Sequence, residues 1–216
     1  MPVSPKIVLL LGSTGLVGRS VLVQLQQDPK IGEIRCLVRT PTQDLGPKTY
    51  VHVVDFNDLT MVSHLFENVT DILCCIGTTI KKAKTKAMFK FVDVEIPLQA
   101  ARLGVAFGID SFILISSMGA SKTAWSFYLK TKAQIELALQ SIGFSRLIIY
   151  RPSLLDGNRN EFRCLEAVAI FLFRWCSAFI PSSFQPTIVS KFVKKIQSDL
   201  HQLENGIHII ESRMIH

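Results

Sequence analysis

The feature that most constrains the fold of this chain is a glycine-rich turn near its start. Gly12-Ser13-Thr14-Gly15-Leu16-Val17-Gly18 follows the apolar run Ile7 to Leu11 and opens a segment in which Val17, Val21, Leu22 and Leu25 have helical spacing. A short apolar run that ends at a glycine predicts a strand buried on both faces. Glycines between such a strand and a helix let the backbone approach a pyrophosphate at the helix N-terminus. The turn therefore predicts a dinucleotide-binding α/β fold, with an ordinary tight turn as the alternative.

Strands and helices alternate along the next part of the chain. Further strands are predicted at Ile34 to Val38, Val51 to Val54, Ile72 to Ile76, Phe112 to Ile115 and Arg146 to Tyr150, and helices at Phe91 to Leu103 and Trp125 to Leu139. This alternation predicts a doubly wound parallel sheet with right-handed crossovers.

The alternation of predicted strands and helices ends after Pro152. The remaining residues contain the apolar run Ala167 to Ile180, a basic helix near Val189 to Leu200 and a last short strand at Gly206 to Glu211. A segment of this size is too small for its own core, and 216 residues suit one domain. We therefore expect a single α/β domain over 1–216, with a dinucleotide-binding core over 1–152 and a small C-terminal lid and last strand over 153–216.

Charge and cysteine content narrow the class of protein. Lys and Arg total 24 against 17 Asp and Glu, so the formal net charge is +7, which suits nucleic acid, a membrane surface or an anionic small molecule. The five cysteines form no CxxC pair and no zinc-type spacing, so we expect reduced thiols and no metal. Because the first residues do not resemble a signal peptide, and no apolar run is long enough to span a bilayer, we expect a cytoplasmic protein.

The end of the second strand bears on the choice of cofactor. An NAD-preferring site would place an Asp or Glu there for the ribose 2′-hydroxyl, whereas this chain has Arg39. Arg39, with Arg19 as a second candidate, can bind a 2′-phosphate, so NADP is favoured over NAD, although both arginines could be solvated surface residues. Asp55 could reach the adenine or cap the next helix, and Gly77 ends the fourth strand where the sheet order should reverse.

A candidate catalytic set lies later in the chain. Tyr128 and Lys132 are four residues apart on a predicted helix, so both project from one face. A tyrosine beside a lysine cation has its phenolate favoured and can exchange a proton near neutral pH. Ser117, after the fifth strand, would hydrogen-bond to a reacting oxygen, with the adjacent Ser116 as the alternative serine.

In these stretches the chain resembles the short-chain dehydrogenase/reductase superfamily, and specifically its atypical, NADP-binding members of the Tat-interacting oxidoreductase-like kind. The matching stretches are Gly12 to Gly18, Val54-Asp55-Phe56, Cys74-Cys75-Ile76-Gly77-Thr78-Thr79, Ser116-Ser117-Met118-Gly119-Ala120, Tyr128-Leu129-Lys130-Thr131-Lys132 and Arg151-Pro152. The resemblance implies a Rossmann fold that binds NADP(H), with Tyr128 as proton donor or acceptor, Lys132 at the nicotinamide ribose and Ser117 at the substrate. It also implies a cofactor site that includes Phe56, Ile76, Thr78, Arg151, Pro152, Ser153 and Leu154.

The resulting expectation is an oxidoreductase that moves hydride to or from a small carbonyl or alcohol substrate. The alternatives are an NADP(H)-binding regulatory protein without turnover and a sugar-nucleotide epimerase. A lysine cluster, residues 81–90, is either a solvated loop or a patch beside the active-site crevice, and nucleic acid is disfavoured because aromatics are not interleaved with it. The run Ala167 to Ile180, together with Lys191, Lys194 and Lys195, is a candidate for peripheral membrane contact. The oligomeric state stays open.

Overall fold

A parallel sheet forms the centre of the protein in this computed structural model, which describes residues 4–42, 45–156 and 187–215. Its strands within the described residues are β1 (Lys6–Leu11), β2 (Ile31–Val38), β3 (Thr49–Val53), β4 (Asp71–Cys74), β5 (Ser111–Ile115), β6 (Arg146–Arg151) and β9 (Gly206–Glu211). Their order is β3-β2-β1-β4-β5-β6-β9, and every neighbouring pair is parallel. A short parallel pair, β7 (Leu155–Asp156) and β8 (Thr187–Ile188), lies outside this sheet.

Helices cover both faces of the sheet. They are α1 (Leu16–Gln26), α2 (Ile80–Ala83), α3 (Lys86–Lys90), α4 (Ile96–Ala106), α5 (Phe127–Gln140) and α6 (Val189–Gln202), with a 3₁₀ helix at Leu59–Phe66, a π-helical turn at Phe91–Glu95 and a last 3₁₀ turn at Ser212–Met214. One apolar cluster joins the sheet to α4, α5 and the first 3₁₀ helix, and a second joins the other face to α1 and α6. The predicted doubly wound Rossmann fold is confirmed.

The strand sequences explain this two-sided burial. In β1, Val8, Leu9, Leu10 and Leu11 are all fully buried, because alternate side chains enter the two opposite clusters. The chain goes from β1 outward to β3 on one side and then crosses over to β4 on the other side. The carboxyl ends of β1 and β4 therefore border the point where the strand order reverses, which is where open α/β sheets bind ligands.

A buried ion cluster stabilises the opposite, amino-terminal edge of the sheet. Asp71 at the start of β4 is fully buried, and its carboxylate accepts hydrogen bonds from Lys6 Nζ at 2.9 Å and from Arg146 Nη2 at 2.7 Å. Lys6 also donates to the carbonyl oxygen of Leu200 in α6 at 3.0 Å. The cluster thus joins the starts of three strands to the C-terminal helix, far from the edge that carries the glycine turn.

Helix α6 is also fixed to α1 and β6 by polar contacts. The Tyr150 hydroxyl donates to Asp199 Oδ2 at 2.6 Å, and Gln197 Nε2 donates to Asp28 Oδ2 at 2.7 Å. His201 Nε2 lies 2.8 Å from the same Asp28 oxygen. Lys195, one of the lysines considered for membrane contact, forms an ion pair with Asp199 at 2.7 Å. The basic helix of the sequence analysis is therefore a packed element of the fold.

Three helical segments differ from the sequence expectations. The helix predicted at Phe91 to Leu103 consists of the π-helical turn followed by α4, and Pro97 lies in the first turn of α4, where its missing N–H costs no hydrogen bond. The lysine cluster, for which a solvated loop was one interpretation, forms α2 and α3. The helix predicted from Trp125 begins at Phe127, because the Ser126 hydroxyl caps it by accepting from the backbone N–H of Leu129.

The proposed lid run, Ala167 to Ile180, lies outside the described residues. Of the region 153–216, the structure describes 153–156 and 187–215, which contribute α6 and the edge strand β9. No helix in the described part of the chain has the length and apolar character needed to cross a membrane.

Candidate functional site

The glycine turn between β1 and α1 is packed so tightly that side chains do not fit. Gly12 has φ +85°, and a Cβ there would lie 2.7 Å from the backbone of Cys75 and Ile76. A Cβ on Gly18 would lie 2.0 Å from the Gly12 carbonyl oxygen. Gly15 precedes α1 and donates its N–H to the Gly12 carbonyl at 3.0 Å. The glycine pattern therefore has a steric cause, since it brings the start of α1 against the ends of β1 and β4.

This turn fits the pyrophosphate of a dinucleotide. The first turn of α1 contains no acidic residue, and its N-terminal backbone N–H groups face the carboxyl edge of the sheet. An anion there meets both the N–H groups and the positive end of the helix dipole. Among the predicted cofactor residues of the turn, Thr14 is exposed and Leu16 half-buried, whereas Ser13 and Val17 are buried. A ligand would therefore meet Ser13 and Val17 through their backbone.

The residues predicted at the adenosine end lie along the same edge. Arg19 in α1 and Arg39 after β2 are both exposed, and neither forms an ion pair within the described residues. Asp55 is exposed and accepts hydrogen bonds from the backbone and side-chain nitrogens of Asn57 at 2.9 and 2.7 Å. The helix that follows is capped by Asp58, so the alternative of Asp55 as a helix cap is wrong. Phe56 is buried in the core beside it.

The candidate catalytic pair is held at the start of α5. Tyr128 is half-buried, and its ring contacts Phe89 of α3 edge-on with 5.8 Å between centroids. Lys132, one turn further along, is 4% exposed, and its Nζ lies 2.8 Å from Asp93 Oδ1. Asp93 belongs to the π-helical turn and is 1% exposed. The sequence analysis missed Asp93, although a carboxylate on a buried helix face is a signal that a cation lies opposite.

Asp93 also binds the turn after β4. Its Oδ2 accepts a hydrogen bond from the backbone N–H of Thr78 at 2.9 Å. A Cβ on Gly77 would lie 3.6 Å from Asp93 Oδ1 and 3.7 Å from Lys132 Nζ, so the Gly77-Thr78 turn contacts the pair directly. Ile76 is half-buried against the adjoining core cluster. Asp93 thus connects the predicted cofactor turn to the predicted catalytic lysine.

Lys132 is a stable cation in this setting. Burial alone would lower the pKa of its ammonium group, but the Asp93 carboxylate and, to a lesser degree, Tyr128 raise it, and the net pKa is above the ordinary value. The ion pair therefore keeps a positive charge one helical turn from Tyr128 on α5.

The two candidate serines have different surroundings. Ser116 is buried, and its hydroxyl donates to Glu136 Oε1 on α5. Ser117 is half-buried, and within the described residues its only hydrogen bond is a long one, 3.4 Å, to the carbonyl oxygen of Met118. A serine hydroxyl that already donates its hydrogen bond to a buried carboxylate is poorly placed to donate one to a substrate oxygen. The surroundings therefore favour Ser117 over Ser116.

Arg151 is occupied by carboxylates. Its guanidinium binds Glu136 through Nε and Nη2, and Nη1 lies 2.8 Å from Glu211 Oε1. The hydrogen bonds from Glu136 raise the pKa of Arg151 above its ordinary value, against a smaller opposing effect of burial. The side chain of Arg151 therefore links α5 to β9. Only its backbone would be available for the predicted contact with the cofactor.

The segment after Arg151 continues along the same edge of the sheet. The carbonyl oxygen of Pro152 accepts from the backbone N–H of Met118 at 2.9 Å, and that of Leu154 accepts from Thr187 at 2.7 Å. The Ser153 hydroxyl lies 2.9 Å from the Thr187 hydroxyl. Pro152 is thus bonded to the loop that carries Ser117, and Ser153 and Leu154 are bonded to Thr187. The predicted position of these residues at the nicotinamide end stays a prediction.

The cysteines of the described residues show no sign of redox chemistry. Burial raises the pKa of the Cys74 thiol to about 12 and that of the Cys36 thiol to about 11. Burial also raises the pKa of Cys75. No group of His, Cys, Asp or Glu in the described ranges could hold a metal ion.

Two curated relatives share the sequence over much of its length. Protein HTATIP2 of Rattus norvegicus is 30% identical over 167 residues, which is 76% of this chain and 69% of the relative. Protein FMP52 of Debaryomyces hansenii is 32% identical over 155 residues, 70% of this chain and 68% of the relative. No protein-family model matches the chain. FMP52 is named a mitochondrial protein, so the expectation of a cytoplasmic location is contradicted and is corrected here.

Solved structures share the fold at low sequence identity. MoeE5 in complex with UDP-glucuronic acid and NAD has a TM-score of 0.73 and 16% identity, covering 94% of this chain and 75% of MoeE5. A short-chain dehydrogenase/reductase superfamily protein of Agrobacterium tumefaciens with bound NAD has a TM-score of 0.71 and 17% identity, covering 95% and 77%. These structures show that the chain shares its fold with NAD-bound Rossmann proteins. The chain belongs to the family of HTATIP2 and FMP52.

Proposed function

We propose that this protein is an NADP(H)-dependent oxidoreductase that transfers hydride to or from a small carbonyl or alcohol substrate. The observation that carries the proposal is the arrangement of Tyr128 on α5 one turn before the buried Lys132–Asp93 ion pair, whose nitrogen and oxygen are 2.8 Å apart. The pair contacts the Gly77-Thr78 turn at the sheet edge that also carries the glycine cradle. A proton-transfer group and a dinucleotide cradle on one edge support hydride chemistry.

The chain's own residues would bind the cofactor from one end to the other. The glycine turn and the start of α1 would hold the pyrophosphate, and the exposed Arg19 and Arg39 would bind a 2′-phosphate. Asp55 would lie near the adenine, and residues 76–78 would lie against the ribose and nicotinamide. When bound, the nicotinamide supplies or accepts the hydride.

The reaction would use four side chains of this protein. In the direction of reduction, the Tyr128 hydroxyl gives its proton to the substrate oxygen as the carbonyl carbon receives the hydride, which yields the alcohol. The Lys132 charge stabilises the phenolate that remains, and a solvent proton restores the hydroxyl. Ser117 would donate a hydrogen bond to the same substrate oxygen and orient it. Asp93 would hold Lys132 in place.

Replacement of Tyr128 by Phe tests the mechanism. The variant should bind NADPH with an unchanged Kd and lose turnover by about 10²- to 10⁴-fold on any carbonyl substrate found in a panel. Tyr50→Phe is the matched control, because Tyr50 is 57% exposed on the edge strand β3. Full activity in Tyr128→Phe would refute the mechanism. Cofactor binding without consumption by the unmodified protein would instead favour a regulatory protein without turnover.

The preference for NADP has its own test. Arg39→Ala should weaken NADPH binding by about 10- to 100-fold, because a charged hydrogen bond to the 2′-phosphate is lost. NADH binding should not change, since NADH has no phosphate at that position. Arg102→Ala is a suitable control, because Arg102 is an exposed arginine on α4. An equal loss for both cofactors, or no loss for either, would contradict the preference.

A nucleotide-sugar epimerase is the second candidate. It is favoured by the solved structures with the same fold, which include MoeE5 with UDP-glucuronic acid and NAD and a UDP-N-acetylglucosamine 4-epimerase. An epimerase returns the hydride to its substrate, so it would interconvert UDP-sugars without net change in cofactor absorbance. Product analysis after incubation with UDP-glucose and UDP-N-acetylglucosamine separates this activity from a reductase.

We also propose a mitochondrial location. The support is the naming of the FMP52 relatives, several of which are described as mitochondrial. Expression of the full-length protein with a C-terminal fluorescent tag should give a signal that coincides with a mitochondrial marker. A diffuse signal throughout the cell would contradict this location.

A further inference from the structure

A surface formed by α2, α3 and the start of α5 combines exposed lysines with exposed apolar side chains. Its apolar members are Ile80 at 43%, Met88 at 49% and Trp125 at 92% exposure. Its exposed lysines include Lys81, Lys84, Lys86, Lys90, Lys122 and Lys130. We call this set the basic–apolar surface.

Aromatic contacts bring these segments together. Phe89 of α3 packs edge-on against Phe127 with 5.7 Å between ring centroids. Lys86 Nζ lies 5.4 Å from the centroid of the same Phe127 ring, which is a cation–π contact. Trp125 is two residues before Phe127 along the chain, and Lys130 is one turn after it on α5. Lys86, Lys130 and the exposed tryptophan therefore lie near the Phe127 ring at the start of α5.

The backbone of this surface is ordered by helix caps. The Thr79 hydroxyl accepts from the backbone N–H of Lys82 at 3.1 Å, and the Thr85 hydroxyl accepts from that of Met88 at 3.1 Å. Lys84, between the two helices, has φ +64°, which turns the chain sharply. The lysines are thus presented from fixed short helices.

The charge of the protein is concentrated here. No Asp or Glu occurs between Asp71 and Asp93 or between Asp110 and Glu136, and these two segments contain eight lysines. The rest of the chain has 16 basic and 17 acidic residues, so the two segments account for the whole surplus of positive charge. Only Lys132 among the eight is buried within an ion pair.

From these observations we propose that the basic–apolar surface binds a bilayer that contains anionic lipids. Anionic headgroups complement the lysines, and each basic residue near such a surface contributes to binding. A tryptophan beside methionine and isoleucine suits the boundary between headgroups and acyl chains, which a purely electrostatic partner would not require. Phe89 also contacts Tyr128, so this surface adjoins the candidate site. The proposal stands independently of the oxidoreductase activity.

Vesicle binding by the full chain tests the proposal. Cosedimentation with phosphatidylcholine vesicles containing 30% phosphatidylglycerol in about 0.1 M salt should show binding, and pure phosphatidylcholine vesicles should show much less. Lys81→Gln with Lys84→Gln should weaken the partition coefficient about 25-fold, at roughly fivefold for each lysine. The matched control is Lys191→Gln with Lys194→Gln, exposed on α6 at the other face of the sheet, which should leave binding unchanged.

Tryptophan emission identifies which part of the chain meets the lipid. The chain has two tryptophans, Trp125 and Trp175. Anionic vesicles should shift the emission of the unmodified protein to shorter wavelength, and Trp125→Phe should remove that shift. A shift that persists in Trp125→Phe, or equal weakening by the α6 control, would overturn the assignment to this surface.

Two further outcomes would contradict the proposal that the partner is a membrane. One is no binding to anionic vesicles at all. The other is binding of a polyanion such as heparin as tightly as vesicles, with the same dependence on Lys81 and Lys84 and no emission shift with lipid. That result would identify an electrostatic site for a soluble polyanion.

Discussion

The buried ion pair between Asp93 and Lys132 makes a quantitative prediction. Asp93→Asn keeps the side-chain shape and an oxygen that can accept the Thr78 N–H, but it removes the charge opposite Lys132. Both residues are nearly inaccessible to solvent, at 1% and 4% exposure, so water cannot replace the lost carboxylate. Removal of one member of a buried pair costs about 3 to 5 kcal/mol. Because the hydrogen bond to Thr78 survives, we expect a loss near the lower end, about 3 kcal/mol.

Urea unfolding at pH 7, followed by far-ultraviolet circular dichroism, measures this loss. For a domain of this size, about 3 kcal/mol corresponds to a fall in Tm of roughly 6 to 12 °C. The double-mutant cycle with Lys132→Met separates the pair from its surroundings. Each single variant leaves one buried charge unpaired, whereas the double variant leaves none, so its loss should be smaller than the sum by at least about 1 kcal/mol.

The pH dependence of the free energy of unfolding gives an independent check that the ion pair is stabilising. The pKa of Lys132 in the folded protein is above its ordinary value of 10.5. Stability from the pair is therefore fully present below pH about 10.5 and is lost as the pH rises through the folded pKa. The contribution of the pair to the stability of the unmodified protein should therefore be constant from pH 6 to 9 and fall only as the pH rises above about 10.5. A loss below about 1 kcal/mol, or additive single variants, would refute the idea of a desolvated pair.

Three other predictions follow from single sites. Gly18→Ala should cost about 1 to 3 kcal/mol and weaken NADPH binding, because its Cβ would lie 2.0 Å from the Gly12 carbonyl oxygen. Gly77→Ala, whose Cβ would lie 3.6 Å from Asp93 Oδ1, should fold normally by the same unfolding assay. Cys74 should resist N-ethylmaleimide at pH 8 in the folded protein, because burial raises its pKa to about 12, and rapid alkylation there, detected by mass spectrometry, would contradict its burial. Burial raises the pKa of Asp28, but hydrogen bonds from α6 and from its own loop lower it more, so its contribution to stability is present above pH about 4 and lost below it. Asp28→Asn should therefore reduce the stability at pH 6 by roughly 1 to 3 kcal/mol and flatten the acid dependence in urea titrations between pH 4 and 2.

The strands could be predicted from the sequence because each is a continuous apolar run with a polar or glycine boundary. The boundaries shifted where the run was interrupted. Strand β2 begins at Ile31, three residues earlier than predicted, because Gly32 and Glu33 break the apolar pattern. Ile31 and Glu33 still pair with β1, and the register shifts at Gly32 between them. Similarly, the apolar spacing of Phe91 to Leu103 predicts a helix but does not reveal that its first turn is π-helical.

The polar partners of the site were harder to predict. Tyr128 and Lys132 could be paired from their spacing on one helix, and the same spacing extends to Glu136. Its partners are Ser116, which follows β5, and Arg151, which ends β6. Asp93 lies three residues before the buried Ile96, so its place on an apolar face is visible in the sequence. Its partner Lys132 is 39 residues away, and only the packing of α4 and the π-helical turn against α5 brings the two charges together.

The position of α6 also has a consequence for the order in which the protein can fold during synthesis. Lys6, in the first strand, donates to the carbonyl oxygen of Leu200, a residue 194 positions later. Phe192, Val193, Ile196 and Leu200 of α6 cover the apolar face that β1, β4, β5 and β6 present beside α1. A growing chain therefore exposes that face of its sheet until almost the whole sequence has left the ribosome, and its need for chaperones should end only when α6 emerges.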